Sequence, residues 1–396
     1  MYCLWIVNFS KTQPTNVMKI GILSPLSAAH PGISLDFMDG LNTFLEANDL
    51  KQHIQFVREN IGYGGSEKDV YAKAEKLLIN EDVDVLVAYA DEKVVSFLQP
   101  LLQATNRLLL LVNPGANYPL NWVAQPTIVR LNLQHAFCTW LTGALAAHSD
   151  NGHAVYSSTF YDCGYLHGAA MVKSFVSNGG SVRHNYINNQ AYDAAFEISQ
   201  LTNFLTTNSD CNNLLCIFDE LPASLFYKLL NPYSGANDLH LFVSPMMLQQ
   251  KAFATTNEAL NFSVEGYAPW LPSITTEENK NFVNSVKRPA SIFSLLGWET
   301  AMVLSEIFLQ KNVDSNDGEA IVAHLKNSSF QSPRGSLQME DETQTFITAP
   351  TRYSFNDGIF TNASTELPNL GNEWKAFTAI PTEGHVTGWT NTYLCY

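Results

Sequence analysis

Two pairs of adjacent acids stand where chemistry could be done. Asp91-Glu92 follows the apolar run VDVLVAYA, and Asp219-Glu220 follows NLLCIF. Carboxylates near one another suit general acid–base work. Neighbours on an extended strand point to opposite faces, so neither pair forms a dyad alone. One acid from each pair, meeting across a cleft, keeps a hydrolase or lyase open. Other catalytic signatures are missing from the sequence: GxxxxGK[ST], GxSxG, HExxH, and GxGxxG after the first strand. The ten His are scattered, and His148 and His153 flank the turn HSDNGH. The six Cys (Cys3, Cys138, Cys163, Cys211, Cys216, Cys395) form no CxxC pair and read as buried free thiols. No catalytic residue, metal site or cofactor is expected.

The acids belong to a wider pattern, in which apolar runs of strand length end in small, polar or aromatic residues. KIGILSPL leads to a loop containing Ser27. VDVLVAYA leads to Tyr89, Asp91 and Glu92. LLLLVNPGANYP delivers Gly115 and Asn117. Later, HAVYSSTFYDCGY delivers Tyr161, NLLCIFDE delivers Asp219 and Glu220, and LHLFVSPM delivers Met246. In open α/β sheets, ligands bind outside the carboxyl ends of the strands. Backbone N–H groups and short polar side chains there suit a small polar ligand.

Helical spacing separates these runs. Phe37, Leu41, Phe44 and Leu45 share one face, as do Val70, Ala74, Leu77 and Leu78, with Ser66 as an N-cap. A helix is expected near Val94 to Ala104. LQHAFCTWLTGALAAH and GYLHGAAMVKSFVSNGG are further helices, the latter closed by Gly179 and Gly180. Alternating strands and helices imply parallel sheets covered on both faces. The expected fold class is α/β, with two doubly wound parallel-sheet lobes. EENKNFVNSV and SLLGWETAMVLSEIFLQ then read as helices without strands between them, followed by a β hairpin.

The chain has 396 residues, which suits about two domains. Its formal net charge of -15 argues against nucleic acid and anionic membranes as partners, since both need Lys/Arg patches. No apolar run, RLLLLV included, approaches the roughly 20 residues of a membrane span. The opening MYCLWIVNFSKTQPTNV lacks a basic n-region and a clear small-residue cleavage site. It reads as a tail, or as a start placed too early with Met18 as the alternative beginning.

The ordered set of KIGILSPLSA, GGSEKDVYAKAEKLLINEDVDVLVAY, LLLLVNPGANYP, SSTFYDCGY and SPRGSLQMEDETQTFITAPTRYSF carries a resemblance. From Met18 to Phe355 the chain resembles the type I periplasmic binding proteins. It is most similar in pattern to the branched-chain amino acid and amide/urea receptors of ABC transporters. The resemblance implies two lobes joined by a three-crossover hinge, with crossovers near Leu131, Leu271 and Phe330. The implied parts are a 1–17 tail, lobe 1 over 18–131 plus 271–329, lobe 2 over 132–270 plus 330–356, and a 357–396 extension.

The resemblance also implies site roles. Tyr89 to Glu92 match the first-lobe loop that usually meets a ligand carboxylate, and acids stand where a hydroxyl is usual. Gly115 and Asn117 match the next loop, and Tyr161 the aromatic over the ligand. Met246 or Met247 falls where an acid often holds an ammonium, with Asp219 or Glu220 nearby to serve instead. A carboxylate ligand facing Asp91 or Glu92 would be repelled, so an amide, urea-like or cationic molecule fits better. The implied partners are a small-molecule ligand and an ABC permease. The implied location is the periplasm or cell envelope. With no convincing export signal, a cytoplasmic sensor of the amide-regulator type is the alternative. The extension is expected to pack over its own lobe, or else to serve as a partner strand.

Overall fold

The computed structural model describes residues 17–149, 152–189, 196–254, 259–310, 314–356, 359–363, 369–380 and 392–393. The tail up to Asn16, Cys3, Cys395 and most of the extension lie outside them. The chain opens with β1 (Met18–Ser24), α1 (Ile33–Ala47), β2 (Ile54–Asn60), α2 (Glu67–Glu75), β3 (Val85–Tyr89), α3 (Lys93–Thr105), β4 (Leu108–Asn113) and β5 (Ile128–Asn132). Next come α4 (His135–Ala147), β6 (His153–Thr159), α5 (Leu166–Ser177), β7 (Ser181–Asn188), α6 (Ser199–Thr207), β8 (Asn213–Ile217), α7 (Glu220–Leu230), β9 (His240–Val243) and β10 (Ser263–Ala268). Then follow α8 (Glu277–Ser285), α9 (Ile292–Leu309), α10 (Gly318–Leu325), β11 (Ser329–Ser332), β12 (Gly335–Glu340), β13 (Thr345–Ile347), β14 (Thr351–Asn356), β15 (Ile359–Ala363) and α11 (Leu370–Thr378).

Two parallel-dominant sheets form two α/β lobes. The first runs β11-β12-β13-β5-β4-β3-β1-β2 and the second β15-β14-β10-β9-β8-β6-β7. Every residue of β3, β4 and β5 is buried. Alternate side chains serve opposite layers: Val85, Val87, Leu108 and Leu110 pack with the residues of α1 and α9, while Leu86, Ala88, Leu109 and Leu111 pack with those of α2 and α3. A strand buried on both faces needs an apolar residue at every position, which is how these runs read. Ser66 accepts a 3.2 Å hydrogen bond from Asp69 N–H and caps α2. Gly179, at φ +95°, turns the chain out of α5, and Gly180 N–H closes onto the Phe175 carbonyl at 2.9 Å.

Helix α9 is long and apolar enough to cross a membrane, the only such helix among the described residues. It is instead mostly buried against the first sheet and α1. Two glycines set that packing. A methyl group on Gly297 would strike the Phe37 carbonyl, and one on Gly40 the Ser294 carbonyl. The two helix backbones therefore touch directly.

The chain passes between sheets three times: after β5, between β10 and α8, and between β13 and β14. The third passage lies beyond Ile347, not near Phe330 as expected from the sequence. The hairpin β11–β12 and strand β13 complete the first sheet, where β13 runs parallel to β5 (Thr345↔Arg130, Phe346↔Leu131). Only β14 joins the second sheet, antiparallel to β10.

A buried ion pair ties the hinge together. Arg334 donates through Nε to Glu299 Oε1 at 2.7 Å and through a terminal nitrogen to Glu299 Oε2 at 3.0 Å, with both side chains 0% exposed. The guanidinium also donates to the Asn132 carbonyl (3.0 Å) and to Gln134 Oε1 (3.1 Å) at the first passage. Gln134 Oε1 accepts from Thr348 N–H (3.2 Å) at the third.

Arg334→Met strands the Glu299 charge and is expected to cost about 3–5 kcal/mol, read from the denaturant midpoint, with Arg334→Met/Glu299→Leu recovering much of it. Gly297→Ala, which pushes α9 off α1, is expected to cost about 1–3 kcal/mol on the same measurement.

Candidate functional site

Chain order in the first sheet reverses between β1 and β3, and in the second between β6 and β8. Loops leaving such adjacent strands in opposite directions open a crevice. The loops after β1 and β3 carry Ser27, His30 and Asp91. Those after β6 and β8 carry Asp162, Tyr165 and Asp219. The two crevices face each other across the hinge, and their side chains meet.

Two side-chain hydrogen-bond contacts join the facing loops among the described residues. His30 Nε2 lies 2.8 Å from Asp219 Oδ2, both nearly buried. Asp219 also caps α7, accepting from Glu220 N–H at 2.7 Å, and its own N–H donates to Asp162 Oδ2 at 3.1 Å. Asn117 makes the second contact. Its Nδ2 donates to Asp91 Oδ2 (2.7 Å), and its Oδ1 accepts from Leu166 N–H (2.9 Å) at the start of α5.

Between these contacts lie Thr392 and Tyr393 of the chain itself. Thr392 Oγ1 donates to Asp91 Oδ2 at 2.8 Å. The Tyr393 carbonyl accepts from Ser27 Oγ (2.7 Å), its N–H donates to the Tyr165 hydroxyl (3.1 Å), and its hydroxyl shares a 2.9 Å hydrogen bond with His135 Nδ1. The ring is 1% exposed. It sits among the rings of His135, Tyr165, His30 and His167, at centroid distances of 5.8, 5.9, 6.1 and 6.4 Å. Two pockets are walled in part by the residues of these contacts. One of about 440 Å³ includes Asp91, Asn117, Arg130 and Leu166 in its wall. The other, of about 450 Å³, includes His30, Asp219, Glu220 and Lys251.

Burial sets the charges. It pushes the Asp91 carboxyl up to about 7, against the pull of the hydrogen bonds from Asn117 and Thr392. It drives His135 well below its usual 6.5 and His167 down to about 3, so both rings are neutral near pH 7. Burial alone would lower His30 too, but the Asp219 carboxylate outweighs it and holds His30 above 6.5. Burial also raises Glu220.

Of the residues expected from sequence, Ser27 and Asp91 bond Tyr393 and Thr392, and Asn117 bonds Asp91 beside them. Met246 is fully buried in the same apolar cluster as Tyr165, Trp270 and Tyr393, whereas Met247 faces the second-lobe core. Asp219 forms the interlobe pair with His30, and Glu220 pairs with Lys251 at 3.3 Å beside it. Glu92 turns to Arg130 Nε at 2.7 Å, within the first lobe. Tyr89 is buried edge-on to Phe37. Gly115, at φ +75°, lets its loop close on the hinge, since a Cβ there would lie 2.8 Å from Gln134 N. Tyr161 is half-buried and edge-on to Phe160, and the ring that meets Tyr393 is Tyr165, four residues on. No motif in the sequence marks His30, His135, Tyr165, His167, Thr392 or Tyr393. His30 and Tyr165 lie in the polar loops that end β1 and β6. His135 and His167 occupy first helical turns beside those loops. Cys138, Cys211 and Cys216 are buried free thiols, and Cys163 is free and half-buried.

Asp91 titrates at 3.8 in a solvated chain and at about 7 in the fold, so its contribution to stability falls as pH rises between these values. The His30 contribution is complete below 6.5 and is lost as pH climbs through its raised value. Denaturant unfolding across pH should show Asp91→Asn flattening the lower part of this decline and His30→Gln the upper part.

A comparison of the sequence with curated proteins finds no match. A family model described as periplasmic binding protein matches residues 17–357. Among solved structures, a solute-binding protein of an ABC transporter from R. palustris, in complex with benzoate, aligns with TM-score 0.68 and 18% identity, over 88% of this chain and 96% of its own. An ABC transporter substrate-binding protein from Sphaerobacter thermophilus aligns with TM-score 0.70 and 15% identity, over 88% and 96%. A leucine-binding protein from Thermotoga maritima aligns with TM-score 0.63 and 12% identity, over 89% and 99%. Two α/β lobes with facing crevices, and a family match spanning most of the sequence, lead to one conclusion: the chain belongs to the periplasmic binding protein family, with the type I fold.

Proposed function

We propose that the protein is a non-catalytic receptor that takes a small solute between its lobes and closes on it, delivering it to an ABC permease in the cell envelope. The observation that carries this reading is convergence. Ser27, Asp91, His135 and Tyr165, drawn from both lobes, direct polar atoms at one small segment buried between them, and Asn117 steadies Asp91 beside it. That is the lining of a small-molecule site, mostly apolar with a few aimed polar groups. Three passages of chain between lobes suit hinge closure.

The cleft acids each have a partner. Asp91 holds Asn117 and Thr392, Glu92 holds Arg130, Asp219 holds His30, and Glu220 lies against Lys251. This favours binding over an acid–base pair. The buried Asp91 disfavours a ligand carboxylate beside it and favours a donor such as an amide, urea-like or hydroxyl group. For comparison, the R. palustris protein of this fold holds benzoate.

A thermal-shift screen of amino acids, amides, ureas and aromatic solutes tests the reading. A ligand at 100 times its Kd adds about 2.7 kcal/mol and raises Tm by a few degrees. The expected result is such a shift with the solute recovered unchanged; conversion of the solute to product would overturn it.

A further inference from the structure

We propose that the solute is an uncharged amide carrying a 4-hydroxyphenyl ring, and that the chain's own Tyr393 is a tethered competitor seated in that solute's place. The inference rests on the receptor reading above and adds the chemical class of its ligand.

Tyr393 is treated by the cleft as a ligand would be. Each of its polar groups meets a side chain fixed by the fold: the carbonyl Ser27, the N–H Tyr165, and the hydroxyl His135. Those three side chains come from both lobes. Ser27 follows β1, while His135 and Tyr165 lie in or beside α4 and α5. Burying an N–H, a carbonyl and a phenol without partners would cost several kcal/mol, so a site that satisfies all three is selective for their arrangement.

The wall is suited to a neutral phenol. His135 is uncharged, and four aromatic rings surround the Tyr393 ring with edge or tilted contacts. The Nε2 of His135 is buried with no hydrogen-bond partner among the described residues. Asp91 receives the Thr392 hydroxyl, which marks the position for a second donor on the solute. An aliphatic ligand would leave His135 Nδ1 unmatched, and an acid would face Asp91.

A segment tethered to its own site competes at a high effective concentration, and the apparent affinity of a free ligand falls with the fraction of sites left open. Titration calorimetry with N-acetyltyrosinamide and, as the neutral aliphatic control, N-acetylleucinamide tests both halves, using the full chain and Tyr393→Ala. The expected result is binding of N-acetyltyrosinamide to Tyr393→Ala at least tenfold tighter than to the full chain, with N-acetylleucinamide weaker on both. Equal affinity of both chains for N-acetyltyrosinamide overturns the tethered competitor. Preference of Tyr393→Ala for N-acetylleucinamide overturns the phenolic class while leaving a receptor in place. Binding of neither by either chain overturns the proposal, and a hit elsewhere in the broader solute screen would still support a receptor.

Should Tyr393→Ala fail to fold, hydrogen exchange on the full chain decides the matter. The Tyr393 amide, buried against the Tyr165 hydroxyl, should exchange faster once N-acetyltyrosinamide is added at saturation. Unchanged protection of that amide under saturating phenol overturns the displacement.

Discussion

A charge buried in the hinge constrains everything built around it. Arg334 and Glu299 are both fully enclosed, where neither survives without the other. Their geometry fixes four pieces of chain at once: α9, the β11–β12 turn, the exit from β5 and the link to β14. Since two of those pieces are passages between the lobes, the pair sets where one lobe ends and the other begins. The crevices at β1/β3 and β6/β8 face each other because the passages are anchored there. Packing of α9 directly on α1 through Gly297 and Gly40 makes the first lobe a stiff base for that anchor.

On this frame the cleft behaves as a site that wants an occupant. Its acids and imidazoles are buried deeply enough that their charges depend on what they touch. Asp91 sits near its midpoint at neutral pH, held by an amide and a hydroxyl rather than by a cation. His30 is held above its ordinary value because Asp219 reaches it from the other lobe, with Glu220 adding to the effect. Separating the lobes would re-hydrate all of these groups and return them toward ordinary values. Closure and protonation are therefore linked: the raised Asp91 and His30 favour the closed arrangement as pH falls, while the lowered His135 and His167 oppose it below their ordinary 6.5.

Most of the architecture was legible in the sequence because parallel strands buried on both faces leave uninterrupted apolar runs, and their carboxyl ends break sharply into polar loops. That contrast located the loops of Ser27, Asp91 and Asn117. The third passage was misplaced because a hairpin's alternation looks the same whichever sheet receives it; the decision lies in the open edge of β5, which β13 covers. The histidines were missed for a different reason. His135 and His167 owe their roles to helix starts that converge only after the hinge forms. Thr392 meets Asp91 across 301 positions of sequence, and no local period or motif marks such a contact. Glu92 is held by Arg130 within its own lobe, and the two together line the pocket beside Asp91 and Asn117.

On the receptor reading proposed above, the groups that meet at Tyr393 hold the two lobes together across the cleft, and their loss lets the lobes swing about the hinge. Small-angle X-ray scattering of the full chain and of the His30→Ala/Tyr393→Ala variant, without added solute, tests it most directly. The account predicts a larger radius of gyration and a longer maximum dimension for the variant, with unchanged secondary structure by circular dichroism. Superimposable scattering curves from two equally folded chains would contradict it.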